Sequence, residues 1–151
     1  LSGTEPQRTI LENIIIREFQ NIDFPVLFVR GLPTESESIL LKNKNIEVHN
    51  HLSSEELSIA MQESEFVLSR SGYSTIMDLI AIQQQAILIP TPGQTEQEYL
   101  GKLWQEKKWA LCFDQEVSFS IKSALQLLDN TSLEQPPFEE LNLELIKARL
   151  D

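Results

Sequence analysis

Short apolar runs alternate along this chain with longer segments whose apolar residues recur at helical spacing, and that alternation restricts the fold more than any other feature. Residues 5–19 repeat Ile10, Leu11, Ile14 and Ile15 at helical intervals, with Pro6 where a first turn tolerates it. Residues 24–29 form an apolar run closed by Arg30-Gly31, which suits a strand buried on both faces. Residues 36–42 are a weak segment and 46–48 a short strand. Ser53 followed by Glu56 is a capping box that opens a helix to about residue 64. Then come a strand at 66–68, a turn at Ser71-Gly72, a helix over 74–82, a strand at 86–89 ended by Pro90, and a helix over 95–108. A strand at 109–113 and a helix over 118–128 follow, and Gln135-Pro136-Pro137 breaks the chain before a last amphipathic helix over 138–150. Short buried strands separated by helices call for right-handed βαβ units, hence an α/β domain with a parallel sheet and helices on both faces.

Composition narrows the partners. The 151 residues carry 23 Asp+Glu against 12 Lys+Arg, a net charge of −11, which disfavours nucleic acid and any other polyanion. A phosphate would have to be held locally, by backbone amides and one or two well-placed cations. The single cysteine, Cys112, excludes a disulfide framework and a thiolate metal site. The longest apolar runs, such as Ala86-Ile87-Leu88-Ile89, fall far short of the about 20 residues of a membrane span. The opening Leu1-Ser2-Gly3 has no methionine and no leader pattern. The expectation is a cytoplasmic chain that is one piece of something longer, a single domain over 1–151 with its first strand truncated.

In open α/β sheets ligands sit beyond the carboxyl ends of the strands, where loops lead into helices. Four such loops carry candidates. In the densest, Arg70 ends a strand, Gly72 permits a tight turn, and Ser74 and Thr75 place hydroxyls at a helix N-terminus that attracts phosphate. Asp78 lies one turn beyond Ser74, where a carboxylate can accept from both hydroxyls of a ribose. The plainer reading is a helix capped by Ser74 or Thr75 with Asp78 simply exposed. In the second loop, 90–97, Pro and Gly stiffen the path to Gln97, whose amide can donate to and accept from sugar hydroxyls; a proline-ended strand and a Thr-capped helix explain it equally. The third, Ser2-Gly3-Thr4, can present amides to a diphosphate or can simply fray at the chain start. The fourth, His49-Asn50-His51-Leu52, lacks a third metal ligand nearby; it reads as a base-reading loop or as two exposed histidines. Trp104, Trp109 and the Ile14/Ile15 stripe read as core, and Glu55-Glu56 and Glu139-Glu140 as solvated helix faces.

Taken in order, these segments resemble the C-terminal domain of family 28 glycosyltransferases, most closely from about Val48 to Ala110. The family pattern is an Arg-x-Gly strand end, hydroxyl residues, an acidic residue, a Pro-containing strand, and a loop ending in Gln. Arg70, Gly72, Thr75, Asp78, Pro90 and Gln97 stand in those places. Asp78 replaces the family's usual Glu, Thr95-Glu96-Gln97 before Gly101-Lys102 replaces Asp-His-Gln before Asn-Ala, and Ser2-Gly3-Thr4 replaces Gly-Gly-Ser. The resemblance implies a Rossmann-like domain, the C-terminal half of a GT-B architecture, that binds a nucleotide sugar, in particular a UDP-sugar.

By the same resemblance Asp78 binds the ribose, while Gly72, Ser74 and Thr75 hold the diphosphate together with Ser2, Gly3 and Thr4. His51 and Leu52 line the uracil pocket, and Gln94, Thr95 and Gln97 contact the donor sugar. The implied reaction is inverting and needs neither metal nor cofactor, because helix N-termini and Arg70 offset charge on the leaving diphosphate. The catalytic base and the acceptor site fall to an N-terminal domain or a partner subunit, which would also carry any peripheral membrane contact. An isolated domain is then expected to turn over nothing. The rival expectations are a fragment of a nucleotide-sugar epimerase and a non-catalytic nucleotide-sugar-binding or assembly subunit.

Overall fold

A computed structural model of the chain describes residues 1–37 and 39–136. The predicted helix over 138–150 lies outside the described residues. Ten elements follow one another as α1 (Gln7–Phe19), β1 (Val26–Val29), β2 (Ile46–His49), α2 (Ser54–Glu63), β3 (Val67–Ser69), α3 (Tyr73–Ile82), β4 (Ala86–Leu88), α4 (Thr95–Glu106), β5 (Leu111–Cys112) and α5 (Ile121–Asp129). All pairings are parallel, as the alternation requires. The strands form two ladders, β1-β2 and β3-β4-β5.

Period-two alternation in β4 divides the core into two layers. Ile87 and Ile89 face a cluster built from Leu11, Ile14, Ile15 and Phe19 of α1, Phe28 of β1, and Ile121, Ala124 and Leu128 of α5. Ala86 and Leu88 point the other way, onto Met61 of α2, Ile76, Leu79 and Ile80 of α3, and Leu100 and Trp104 of α4. Helices therefore cover both faces, and all four residues from Ala86 to Ile89 are fully buried.

Local chemistry explains the helix starts. The predicted capping box is present: Ser53 Oγ accepts from Glu56 N at 3.2 Å, and the Glu56 carboxylate accepts from Ser53 N at 2.8 Å. The first turn of α1 is closed by Glu5, which accepts from Thr9 N at 3.2 Å and from Arg8 Nε at 2.8 Å, so Pro6 precedes the helix instead of opening it.

Two expectations change. Leu27 is 42% exposed although β1 was expected to be buried on both faces; among the described residues no helix lies between β1 and β2 to cover that side. Trp109 does not begin a strand either. Lys108 takes a left-handed φ of 58° to reverse the chain after α4, and Trp109 packs edge-on against Trp104 at 5.9 Å, delaying the strand to Leu111.

Gly101 stands in the interior of α4 for a steric reason. A Cβ there would lie 2.7 Å from Pro90 Cγ and 2.8 Å from Cys112 Sγ, so α4 approaches the ends of β4 and β5 as closely as a bare backbone allows. Gly101→Ala is expected to destabilise by about 1–2 kcal/mol: overpacking costs about 1–3 kcal/mol and alanine recovers up to about 1 in helix propensity. Urea unfolding measures the balance, and a gain in stability would mean that α4 can back away from the strand ends.

Candidate functional site

Three of the four predicted loops come together beyond the carboxyl ends of the strands. Ser71 Oγ donates to Gln97 O at 2.7 Å, tying the entry of α3 to the first turn of α4. Arg70 is 1% exposed, and its guanidinium donates to Ile89 O and Pro90 O at 3.1 Å each and to Gln7 O at 2.9 Å. It thus joins the end of β3 to the end of β4 and the start of α1. Burial pulls this guanidinium down to about 10, which leaves it protonated at neutral pH.

Gly3 lies over this joint with φ +113°; a Cβ there would sit 3.4 Å from Thr91 Oγ1 and 3.9 Å from Arg70 Nε. Those two buried atoms have no hydrogen-bond partner within the described protein. The positive φ favours glycine at this position, while a Cβ would make only ordinary van der Waals contact with both atoms. Ser2, Gly3 and Thr4 are exposed above it.

The N-terminus of α3 is open. Its N-cap is Gly72, not Ser74 or Thr75 as the plainer reading has it, and no side chain caps it. Gly72 has φ −69° and ψ 149°, a conformation open to any residue, so the expected tight turn does not require glycine. What its missing side chain leaves is space, because a Cβ at Gly72 would meet nothing within 4 Å. Ser74 is exposed, Thr75 half-buried, and Asp78 is exposed one turn after Ser74.

The loop into α4 is braced from within. Gln97 Oε1 accepts from Thr91 N at 3.0 Å, and its Nε2 donates to Gln94 Oε1 at 2.6 Å. Gly93, at φ +80°, donates from its N–H to Glu98 Oε1 at 2.8 Å. Both ends of the Gln97 amide are therefore occupied inside the loop, Gln94 and Gln97 are half-buried, and Thr95 is exposed.

His51, exposed, and Leu52, half-buried, stand past the end of β2. Their loop is anchored by Asn50, whose Oδ1 accepts from Arg30 Nη1 at 2.9 Å and whose Nδ2 donates to Glu35 O and Glu37 O at 2.9 Å each. Arg30 belongs to a buried ionic group that sequence reading missed. Glu12 Oε1 accepts from Arg30 Nε at 2.6 Å, and Glu12 Oε2 accepts from Arg8 Nη2 at 3.2 Å. Burial alone would raise the Glu12 carboxyl, but hydrogen bonds from Arg30 and then Arg8 outweigh it and hold it below its ordinary range. The available signal was an arginine ending β1 and an asparagine ending β2, two polar residues at neighbouring strand ends. Also missed was an open groove of about 390 Å³ beyond β5, lined by Cys112, Asp114, Glu116 and Ser118 among others.

Among the described residues no group of three or more His, Cys, Asp or Glu is placed to hold a metal ion. His49 instead meets Glu47 of its own strand at 2.6 Å. No helix among the described residues is long and apolar enough to cross a membrane.

Fold and loop placement define a Rossmann-like α/β domain of the kind that forms the C-terminal half of a GT-B architecture. The chain belongs to glycosyltransferase family 28, whose C-terminal domain it matches over residues 9–143. Among curated proteins it is similar to a UDP-N-acetylglucosamine--N-acetylmuramyl-(pentapeptide) pyrophosphoryl-undecaprenol N-acetylglucosamine transferase of Rickettsia akari, with 35% identity over 95 residues, 62% of this chain and 25% of that protein. The enzyme of the same name from Rickettsia felis is 32% identical over 96 residues, again 62% of this chain and 26% of its own length. One from Methylobacterium radiotolerans is 46% identical over 43 residues, 28% of this chain and 12% of that protein. The matched region thus spans about a quarter of the length of the first of these relatives. No solved structure matches the chain at comparable significance.

Proposed function

We propose that this domain binds the UDP-sugar donor of an inverting, metal-independent glycosyltransferase that moves a hexosyl group to an acceptor hydroxyl. The observation that carries the reading is the open start of α3, with no side-chain cap, Ser74 and Thr75 in its first turn, and an exposed carboxylate at Asp78 one turn on. In a chain of net charge −11, such an array binds phosphate through local amide dipoles instead of overall charge. The amides after Gly72 and the Ser74 and Thr75 hydroxyls receive the diphosphate, with the Ser2-Gly3-Thr4 loop closing over it. Asp78 accepts from the ribose hydroxyls, and the backbone at His51 reads uracil while Leu52 packs on its face.

Arg70 acts from below. Its hydrogen bonds go to carbonyls, so it contributes a buried positive charge and a fixed loop geometry to the site. Gln97 likewise shapes the path of residues 91–97, leaving Thr95 and the loop backbone to meet the donor sugar. As the acceptor oxygen attacks the anomeric carbon, the bond to the diphosphate breaks and the nucleoside diphosphate leaves. The start of α3 and Arg70 offset the charge gathering on that leaving group. The base that takes the acceptor proton, and the acceptor site, belong to an N-terminal domain or partner subunit. The activity for which the relatives are named makes UDP-N-acetylglucosamine the first donor to try and N-acetylmuramyl-(pentapeptide) pyrophosphoryl-undecaprenol the first acceptor.

A second reading, a nucleotide-sugar-binding subunit without transfer activity, draws on the internally occupied Gln97 and on Thr95-Glu96. Titration calorimetry of the protein with UDP, and with uridine as control, tests the binding claim. UDP is expected to bind at least tenfold more tightly than uridine; equal affinities would remove the diphosphate site. A transfer assay with the donor sugar and acceptor then separates the two readings.

A further inference from the structure

A chain of hydrogen bonds that the proposed chemistry leaves unused runs from α1 to the loop beyond β2. It starts at Glu12, whose carboxylate accepts from Arg30 Nε at 2.6 Å and from Arg30 Nη2 at 3.4 Å. That two-point grip fixes the plane of the buried guanidinium and leaves its third nitrogen for Asn50. Arg30 Nη1 donates to Asn50 Oδ1 at 2.9 Å, and Asn50 Nδ2 donates to Glu35 O and Glu37 O at 2.9 Å each. A guanidinium only donates and a carbonyl only accepts, so the Asn50 amide has a single orientation that satisfies all three partners. Glu35 and Glu37 lend their carbonyls, which makes residues 31–37 a brace for the neighbouring loop.

The Asn50 backbone is held as well. Its carbonyl accepts from Leu32 N at 2.7 Å, one step after His49 O accepts from Arg30 N at 2.8 Å. Three residues on, Ser53 closes the other end of the loop, donating from its N–H to Glu56 Oε2 and accepting at Oγ from Glu56 N. Two residues, His51 and Leu52, lie between these anchors. Their backbone N–H and C=O groups make no hydrogen bond among the described residues. A dipeptide pinned at both ends, with its backbone polar groups unspent, keeps those groups in fixed directions.

We propose that Asn50 is a positioning residue for base recognition: its three side-chain bonds hold the His51-Leu52 backbone where that backbone distinguishes uracil from cytosine. The inference rests on the reading of this domain as a UDP-sugar binder and adds what makes its base site selective. Uracil presents a carbonyl oxygen where cytosine presents an amino group, and an N–H where cytosine has a bare ring nitrogen. A backbone N–H and C=O that match uracil therefore oppose cytosine donor to donor and acceptor to acceptor. Such discrimination needs a loop that cannot turn, because a hydrogen bond weakens steeply below about 120°. Ordering a free loop at the moment of binding also costs affinity, and the Asn50 bonds order this one beforehand.

Titration calorimetry with UDP, CDP and inorganic pyrophosphate on wild type, Asn50→Ala and Asn50→Asp tests the proposal. Wild type is expected to prefer UDP over CDP by about tenfold or more, as one two-point base contact provides. Asn50→Ala is expected to bring the two affinities to within about threefold of each other and to leave pyrophosphate binding within about twofold of wild type. Asn50→Asp keeps a partner for Arg30 but sets an acceptor against the carbonyls of Glu35 and Glu37, so it too is expected to lose the preference. Should Asn50→Ala fail to fold, the Asn50→Asp comparison decides. In wild type, the amide resonances of His51 and Leu52 are expected to move with UDP and to stay in place with pyrophosphate.

An Asn50 variant that keeps the wild-type preference overturns the role of Asn50 and leaves the donor-binding reading standing. So does a parallel loss of affinity for UDP, CDP and pyrophosphate, which marks a residue that holds only the fold. A wild type that binds UDP and CDP alike, or whose His51 and Leu52 resonances ignore UDP, removes base reading from this loop and the inference with it. A wild type that binds neither UDP nor pyrophosphate fails the donor-binding reading itself.

Discussion

Asp78→Ala is expected to weaken UDP binding by about 10- to 100-fold while leaving thermal stability within about 0.5 kcal/mol of wild type. Hydrogen bonds to a charged group contribute about 1.5–3 kcal/mol, and each 1.4 kcal/mol is about tenfold in affinity. Substitution of an exposed side chain away from caps and core leaves stability within about 0.5 kcal/mol. Asp78 is exposed one turn into α3, and neither the core clusters nor the ion pairs include it. Asp78→Asn keeps the shape and loses the charge, so it falls between wild type and alanine. Asp78→Glu retains most of the affinity, since a carboxylate one methylene longer still reaches a ribose. 2′-Deoxy-UDP provides the complementary deletion: wild type loses affinity for it, and Asp78→Ala loses less. Equal UDP affinity in wild type and alanine variant would take the ribose role from this residue.

Glu12→Ala is expected to cost about 3–5 kcal/mol of stability, the largest effect of any single change discussed for this domain. Glu12 and Arg8 are each 6% exposed and Arg30 is 9% exposed, and the one carboxylate serves both guanidinium groups. Removing it leaves the buried Arg30 without its counter-ion and Arg8 with only the exposed Glu5 carboxylate. Replacing all three by apolar residues of similar size, as in R8M/E12L/R30M, is expected to recover much of the loss, because no charge then remains to be desolvated.

The pH dependence has a definite sign. The folded-state pKa of Glu12 lies below its ordinary value of 4.5, so its contribution is fully present above that value. It is lost as pH falls through the lower folded-state pKa, when the carboxyl protonates and releases the arginines. Chemical denaturation across pH 3 to 7 is expected to show Glu12→Gln closing the gap on wild type at the acid end. A Glu12→Ala loss below about 1 kcal/mol would mean that water reaches the arginines.

The same network shows why part of the site was illegible. Arg8 and Glu12 stand four apart on α1, a spacing that pairs them, but nothing in the sequence joins them to Arg30 at the end of β1 or to Asn50 at the end of β2. Arg70 and Gln97 were legible as residues that matter, yet their tasks were not. Each side chain is used by neighbouring carbonyls or amides that only the packed strand ends supply. Gly72 was read as a turn-former and proves to be an opening, a distinction that rests on one φ angle.

What the sequence determined by itself was the order of elements among the described residues, the capping box at Ser53 and the helix that carries Ser74 and Asp78. These follow from residue periodicity and from side chains bonding within a few positions of their own backbone, where chain connectivity sets the distance. The tertiary structure decided the division into two ladders, the exposure of Leu27 and the inward use of Arg70 and Gln97. Those outcomes depend on which distant backbone groups come within about 3 Å of one another, and that proximity exists only once the strands and helices have packed.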